Sequence, residues 1–143
     1  MTHQTALNDF IQLCEHLSPE STQKFVEFYT EDAYFKDPFN EVRGHAAIIN
    51  IFDHMYLKLD VPRFVITRSL LQDDDAFLLW EFIFYFKGDN KHIQKIRGST
   101  HLRFSAEHKI EHHRDYWDAA EELYEKIPLL GSIMRWIKRK AKT

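Results

Sequence analysis

Cysteine is almost missing from this chain: Cys14 stands alone, which excludes a disulfide framework and any cysteine-based metal site. Four glycines and four prolines in 143 residues exclude collagen-like and low-complexity classes. Long apolar runs are missing too. The most apolar stretch, Ala76 to Phe86, is too short for a membrane-crossing helix and contains Glu81. Met1 to Leu17 lacks the basic start and apolar centre of a targeting signal, so a soluble, cytoplasmic protein is expected. Among the nine histidines, no spacing matches a zinc motif, and neither a phosphate-binding glycine loop nor a dinucleotide fingerprint occurs. Neither a metal nor an organic cofactor is therefore expected.

What the chain has in quantity is aromatic surface. Phe, Tyr and Trp make up 15% of it, with 12 Phe, 6 Tyr and 3 Trp. With 44% hydrophobic and 29% charged residues, it can bury a sizeable core, and its length fits a single domain over residues 1–143. The net charge of −3 is unevenly spread. Residues 126–143 hold six basic side chains and no acid, leaving 13 basic and 22 acidic side chains in the 125 residues before them. An acidic body disfavours nucleic acid as a partner.

The first half has helical periodicity. Leu7, Phe10, Ile11, Cys14 and Leu17 form one apolar stripe, which makes Cys14 a core residue. Ser18 can cap a second helix, with Pro19 at its first position and Phe25, Val26, Phe28 and Tyr29 on its buried side. A short extended piece, Ala33 to Asp37, ends at Pro38. A third helix follows Gly44 and carries Ile48, Ile49, Phe52, Met55 and Tyr56.

The second half has strand periodicity. Arg63–Gln72, Ala76–Lys87, Lys91–Ser105 and Lys109–Trp117 are expected as four strands. Their links are too short for parallel crossovers, so they form an antiparallel meander. A C-terminal helical extension over 118–143 consists of a helix from about Asp118 to Lys126 and another from about Leu129 to Lys140. The class is α+β. In Ala76–Phe86 both alternating faces are apolar, so helices cover one and a second copy is expected over the other, as a homodimer.

The run Phe28-Tyr29-Thr30-Glu31-Asp32-Ala33-Tyr34-Phe35-Lys36-Asp37-Pro38-Phe39, followed by Val42-Arg43-Gly44, resembles the nuclear transport factor 2-like superfamily. It is most similar to the branch of SnoaL-like polyketide cyclases and ketosteroid isomerases. Arg114-Asp115-Tyr116-Trp117-Asp118 resembles the last-strand motif of the same superfamily, including its limonene epoxide hydrolases. The resemblance implies a cone-shaped curved sheet packed on N-terminal helices, with a pocket inside. It puts Asp37 where the isomerases carry their general base, a role a carboxylate fills in an apolar pocket.

The isomerases' oxyanion pair does not carry over: their Asp corresponds to Thr100, and their Tyr falls near Leu13. The epoxide hydrolases' Asp-Arg-Asp set does not carry over either, since Asp115 matches but the other two positions are Glu81 and Ile83. Asp37, Glu81, Thr100, His113 and Asp115 are expected to face the pocket, with Tyr34, Phe35, Tyr85 and Trp117 as its walls. Asp37, His113 and Asp115 are the catalytic candidates.

Each candidate also has a structural reading. Asp37 before a proline suits a turn. Glu81 suits an ion pair with Arg97 or His113, and His113 with Asp115 suits a satisfied pair on one strand face. Asp118 suits a helix cap.

Two functions stay open at this level. One is a small-molecule-binding protein with acid–base chemistry of the isomerase, cyclase or dehydratase type. The other is a non-catalytic dimeric module for a ligand or protein. The last helix, with Leu129, Leu130, Ile133, Met134, Trp136 and Ile137 beside basic residues, either docks on the body or makes weak contact with an anionic membrane surface.

Overall fold

The computed structural model describes residues 1–123 and 128–142. Helix α1, His3–Glu15, starts where the Thr2 hydroxyl accepts a hydrogen bond from the Thr5 amide, and it buries the stripe Ala6, Leu7, Phe10 and Cys14. The expected second helix is three short pieces. A 3₁₀ turn at Pro19–Ser21, with a capping box between Ser18 and Ser21, leads into α2, Thr22–Phe25, and a second 3₁₀ turn at Val26–Phe28. Tyr29 is not on this helix. It opens strand β1, Tyr29–Lys36.

Strand β1 turns back into the short strand β2, Glu41–Arg43, through a loop that Asp37 closes. Gly44, at φ +93, then reverses the chain into α3, His45–Lys58, which buries Ile48 and Phe52. The meander follows as expected: β3 Leu59–Gln72, β4 Asp75–Phe86, β5 Gln94–Phe104 and β6 Ile110–Tyr116, each antiparallel to the next. The sheet order is β2-β1-β6-β5-β4-β3, and β1 joins β6 in parallel. That one parallel pairing sets Phe35 beside His113 and Tyr34 beside His112. Irregular register in β3, between Asp60 and Arg63 and between Ile66 and Arg68, accompanies the curvature of the sheet.

Alternation along β4 divides its side chains between two environments. Leu78, Trp80, Phe82 and Phe84 are buried on the inner, helix-covered face, while Phe77 and Leu79 on the outer face are about half exposed. Glu81 and Tyr85 share the outer parity. Trp80 gains its inner position because Gly98 faces it across the β4–β5 ladder: a Cβ on Gly98 would lie 2.4 Å from the Trp80 ring. After β6, α4 is a single turn, Ala119–Glu122, capped by Asp118, whose carboxylate accepts from the Glu121 amide. The part of the expected helix at 124–126 lies outside the described residues. The last helix, α5, spans Pro128–Ala141. Among the described residues, no helix is long and apolar enough to cross a membrane.

The outer face also holds a histidine pair with a testable consequence. The His112 ring stacks on Tyr34 at 5.1 Å and lies 5.0 Å from His101, which bonds Asp75 at 2.7 Å. Burial, followed by the neighbouring His101, His113 and Arg114, lowers the His112 pKa, with Asp75 opposing. The unfolded chain therefore takes up this proton first as pH falls through about 6.5, and the native state loses stability. His112→Asn is expected to flatten the loss of Tm between neutral and mildly acidic pH, as read by thermal unfolding of both proteins. An unchanged slope removes His112 from the account.

Candidate functional site

The inner faces of β4, β5 and β6 close on α1 and α3 around a cavity of about 410 Å³. This is within the range of small-molecule pockets, about 300–1,000 Å³. Phe10, Phe25, Phe52, Phe64, Phe82 and Ile96 supply much of the wall, so an apolar occupant is favoured.

One polar chain crosses this apolar space. Trp80 Nε1 donates to Thr100 Oγ1 at 2.7 Å, and Thr100 donates to Asp115 Oδ1 at 2.6 Å. His113 Nε2 meets the same Asp115 oxygen at 2.8 Å, and its Nδ1 meets the Tyr29 hydroxyl at 2.8 Å. Strand pairing explains the assembly. Thr100 and Asp115 are register partners across β5 and β6, and His113 lies two residues before Asp115 on the same face. Tyr29 joins from the start of β1. Trp80 is 5% exposed, Thr100 4%, His113 6% and Tyr29 2%, so the interior has to satisfy all four polar groups.

The proton positions follow from the partners. A carboxylate only accepts, so in its neutral form the His113 imidazole carries its hydrogen on Nε2 and accepts at Nδ1 from the Tyr29 hydroxyl. Burial, with the neighbouring Cys14 and Asp115 adding to it, pushes the Tyr29 phenol well above its usual pKa and keeps it a donor. Burial first, then Asp115 and Glu15, likewise raises the Cys14 thiol, which lines the cavity as a neutral, unreactive group. Asp115 receives both of its hydrogen bonds at Oδ1. Its Oδ2 makes none among the described residues, and Asp115 lines the cavity.

Of the residues expected at the pocket, Phe35, Asp37, Thr100, His113, Asp115 and Trp117 line it. Three do not. Glu81 has the opposite parity to Trp80, so it faces outward and pairs with Lys95 at 3.1 Å. It binds neither expected partner, since Arg97 instead engages Glu122 at 2.9 Å. Tyr85 falls on the same outer face as Glu81. Tyr34 alternates with the buried Ala33 and Phe35, which turns it outward onto His112, with Arg43 over its ring.

Asp37 lines the cavity but is committed to its loop. Oδ1 accepts from the amides of Phe39 at 2.8 Å and Asn40 at 2.7 Å, and the Asn40 side chain donates to both carboxylate oxygens. Tyr29 and Trp80 are the members that sequence reasoning missed. Trp80 shares parity with Leu78 and Phe82, and its indole N–H required a partner, which was the available signal. Tyr29 gave no such signal, because only the parallel pairing of β1 with β6 brings it to His113. Among the described residues, no group of three or more His, Cys, Asp or Glu side chains is arranged to hold a metal ion.

The curved, open six-stranded sheet wrapped on helices around an internal cavity defines the nuclear transport factor 2-like class of α+β folds. Within that class the chain belongs to the SnoaL-like domain family, whose model matches residues 10–113. Three solved structures place the fold. An NTF2-like protein of unknown function from Burkholderia pseudomallei is 12% identical, with a TM-score of 0.72, covering 85% of this chain and 95% of its own. A protein with a ketosteroid isomerase-like fold from Catenulispora acidiphila, solved in complex with trimethylamine, is 14% identical, with a TM-score of 0.70 and coverages of 82% and 88%. An LEH-like epoxide hydrolase from M. tuberculosis is 12% identical, with a TM-score of 0.68 and coverages of 95% and 96%. At these identities the likeness is one of fold. Comparison with curated proteins finds no match by sequence.

Proposed function

We propose that the protein binds a small, mostly apolar carbonyl compound in the cone and transfers a proton on it through Asp115. The observation that carries this reading is the asymmetry of the Asp115 carboxylate. Oδ1 is held by Thr100 and His113, while Oδ2 has no bond among the described residues on a residue lining an apolar cavity. Two donors on one oxygen fix the carboxylate's orientation and leave the other oxygen as the base. His113, held by Tyr29, acts as a positioning residue through Asp115. The reaction type is isomerisation, cyclisation or dehydration, in which a proton leaves one carbon and returns elsewhere. Asp37 takes the turn role, since its oxygens are occupied by the loop.

Thermal unfolding against a panel of cyclic ketones, polyketide fragments and lipids tests the binding half. A ligand at about 100 times its Kd stabilises the native state by about 2.7 kcal/mol, a readily measured rise in Tm. The rise is expected to persist in Asp37→Asn and to shrink in Asp115→Asn. Dependence on Asp37 with indifference to Asp115 would reverse the assignment.

The outer sheet face supports a second copy as the partner of the body. Leu70 is 71% exposed there, and Phe77 and Leu79 about half exposed. Sedimentation at twice the chain mass supports the homodimer, and the single-chain mass removes it.

A further inference from the structure

The charge balance of the last segment is unlike that of the rest of the chain. Helix α5, Pro128–Ala141, carries Arg135, Lys138, Arg139 and Lys140, with Lys142 just beyond, and no acidic residue. At about 100° per residue, Ile133, Trp136 and Ile137 fall on one side, and Arg135, Arg139 and Lys142 on the other. The three apolar side chains are not buried against the body. Ile133 is 48% exposed, Trp136 53% and Ile137 46%. Lys140 falls on the apolar side, between Trp136 and Ile137 around the helix axis, and lies over the Trp136 ring with its ammonium 5.8 Å from the centroid.

We infer that α5 is a surface-binding helix for anionic lipid bilayers, laying Ile133, Trp136 and Ile137 into the headgroup boundary beneath basic side chains that meet lipid phosphates and carboxylates. Three features select a bilayer over an acidic protein partner. An exposed Trp flanked by Ile at helical spacing suits the interface between headgroups and acyl chains. The basic residues lie on long side chains that can reach around the helix to the surface. The 125 residues before Lys126 carry 13 basic and 22 acidic residues, so an anionic surface repels the body and attracts only the tail, which orients the molecule. The helix is also tethered close to the site. Leu123 lines the cavity, and the five peptide steps from Leu123 to Pro128 span at most about 18 Å. A seated α5 therefore holds the cone near the bilayer, where apolar ligands concentrate.

The test is sedimentation of the full chain with vesicles of phosphatidylcholine alone and of phosphatidylcholine and phosphatidylserine in equal parts. Binding is expected only to the second kind, weakening as salt rises, with a blue shift of tryptophan emission that Trp136→Phe removes. Arg139→Glu with Lys142→Glu is expected to weaken binding about tenfold or more. Ile133→Ser with Ile137→Ser is expected to abolish the blue shift. All these positions are exposed, and an unchanged Tm verifies that the variants fold. Absence of binding to the anionic vesicles overturns the inference, as does equal binding to both kinds. Capture by an acidic polypeptide with no vesicle binding overturns it as well.

Discussion

Gly98→Ala is expected to cost about 3 kcal/mol of stability, the upper part of the range for overpacking a filled site. The added methyl would lie 2.4 to 2.9 Å from three carbons of the Trp80 ring, well inside contact distance. Neither side yields easily. Gly98 is held in the β4–β5 ladder opposite Trp80, and the indole is 5% exposed and tied to Thr100. Displacing the ring also breaks the first link of the polar chain to Asp115. For a chain of this size the loss corresponds to a fall in Tm of roughly 8 °C. Trp80→Phe in the Gly98→Ala background is expected to recover part of it, a coupling that separates a clash with this ring from a general effect of alanine in a strand. A Gly98→Ala protein with wild-type Tm would contradict the placement of Trp80.

The second large effect is at Asp115. Asp115→Ala strands the buried His113 N–H and Thr100 hydroxyl without their shared acceptor, a loss of about 2–3 kcal/mol. Asp115→Asn keeps an oxygen at that place and puts its amide nitrogen toward the cavity, so it is expected to cost under about 1 kcal/mol. Denaturant unfolding of the two variants reads the difference directly. Equal losses would mean that Oδ1 is not the shared acceptor. The contrast also makes Asp115→Asn a folded protein in which only the proposed base has been removed.

The sequence carried most of the architecture because the relevant signals are local. The α1 stripe, the Gly44 turn into α3 and the period-two strands of the meander depend on neighbours a few residues apart. Boundaries were less legible: the helical pattern over 19–28 resolves into three short turns, β1 and β3 each start four residues before the expected Ala33 and Arg63, and the short strand β2 was not expected. The site was legible only in part. Phe35, Asp37, Thr100, His113, Asp115 and Trp117 follow from the family resemblance and from alternation. Glu81, Tyr85 and Tyr34 fail because the observed alternation on β4 and β1 turns them outward, whereas Glu81 was expected to face inward by alternation, with Tyr34 and Tyr85 as walls of the same space. Tyr29 depends on a pairing between strands about eighty residues apart, which no local period encodes. The roles of Asp37 and Asp115 are likewise invisible in one dimension. Both are carboxylates near motif ends, and only the hydrogen-bond partners separate the loop-bound one from the one with an open oxygen.

The central claim is that Asp115 Oδ2 accepts a proton from a carbon acid in the cone. The most direct measurement is deuterium incorporation from solvent into the α-carbons of the ketone panel, followed by NMR, with wild type and Asp115→Asn side by side. Wild type is expected to catalyse exchange in at least one ketone that raises its Tm, and Asp115→Asn to lower that rate by about 10²- to 10⁴-fold, the usual contribution of a general base. Exchange that survives in Asp115→Asn, or bound ketones that never exchange in wild type, would contradict it.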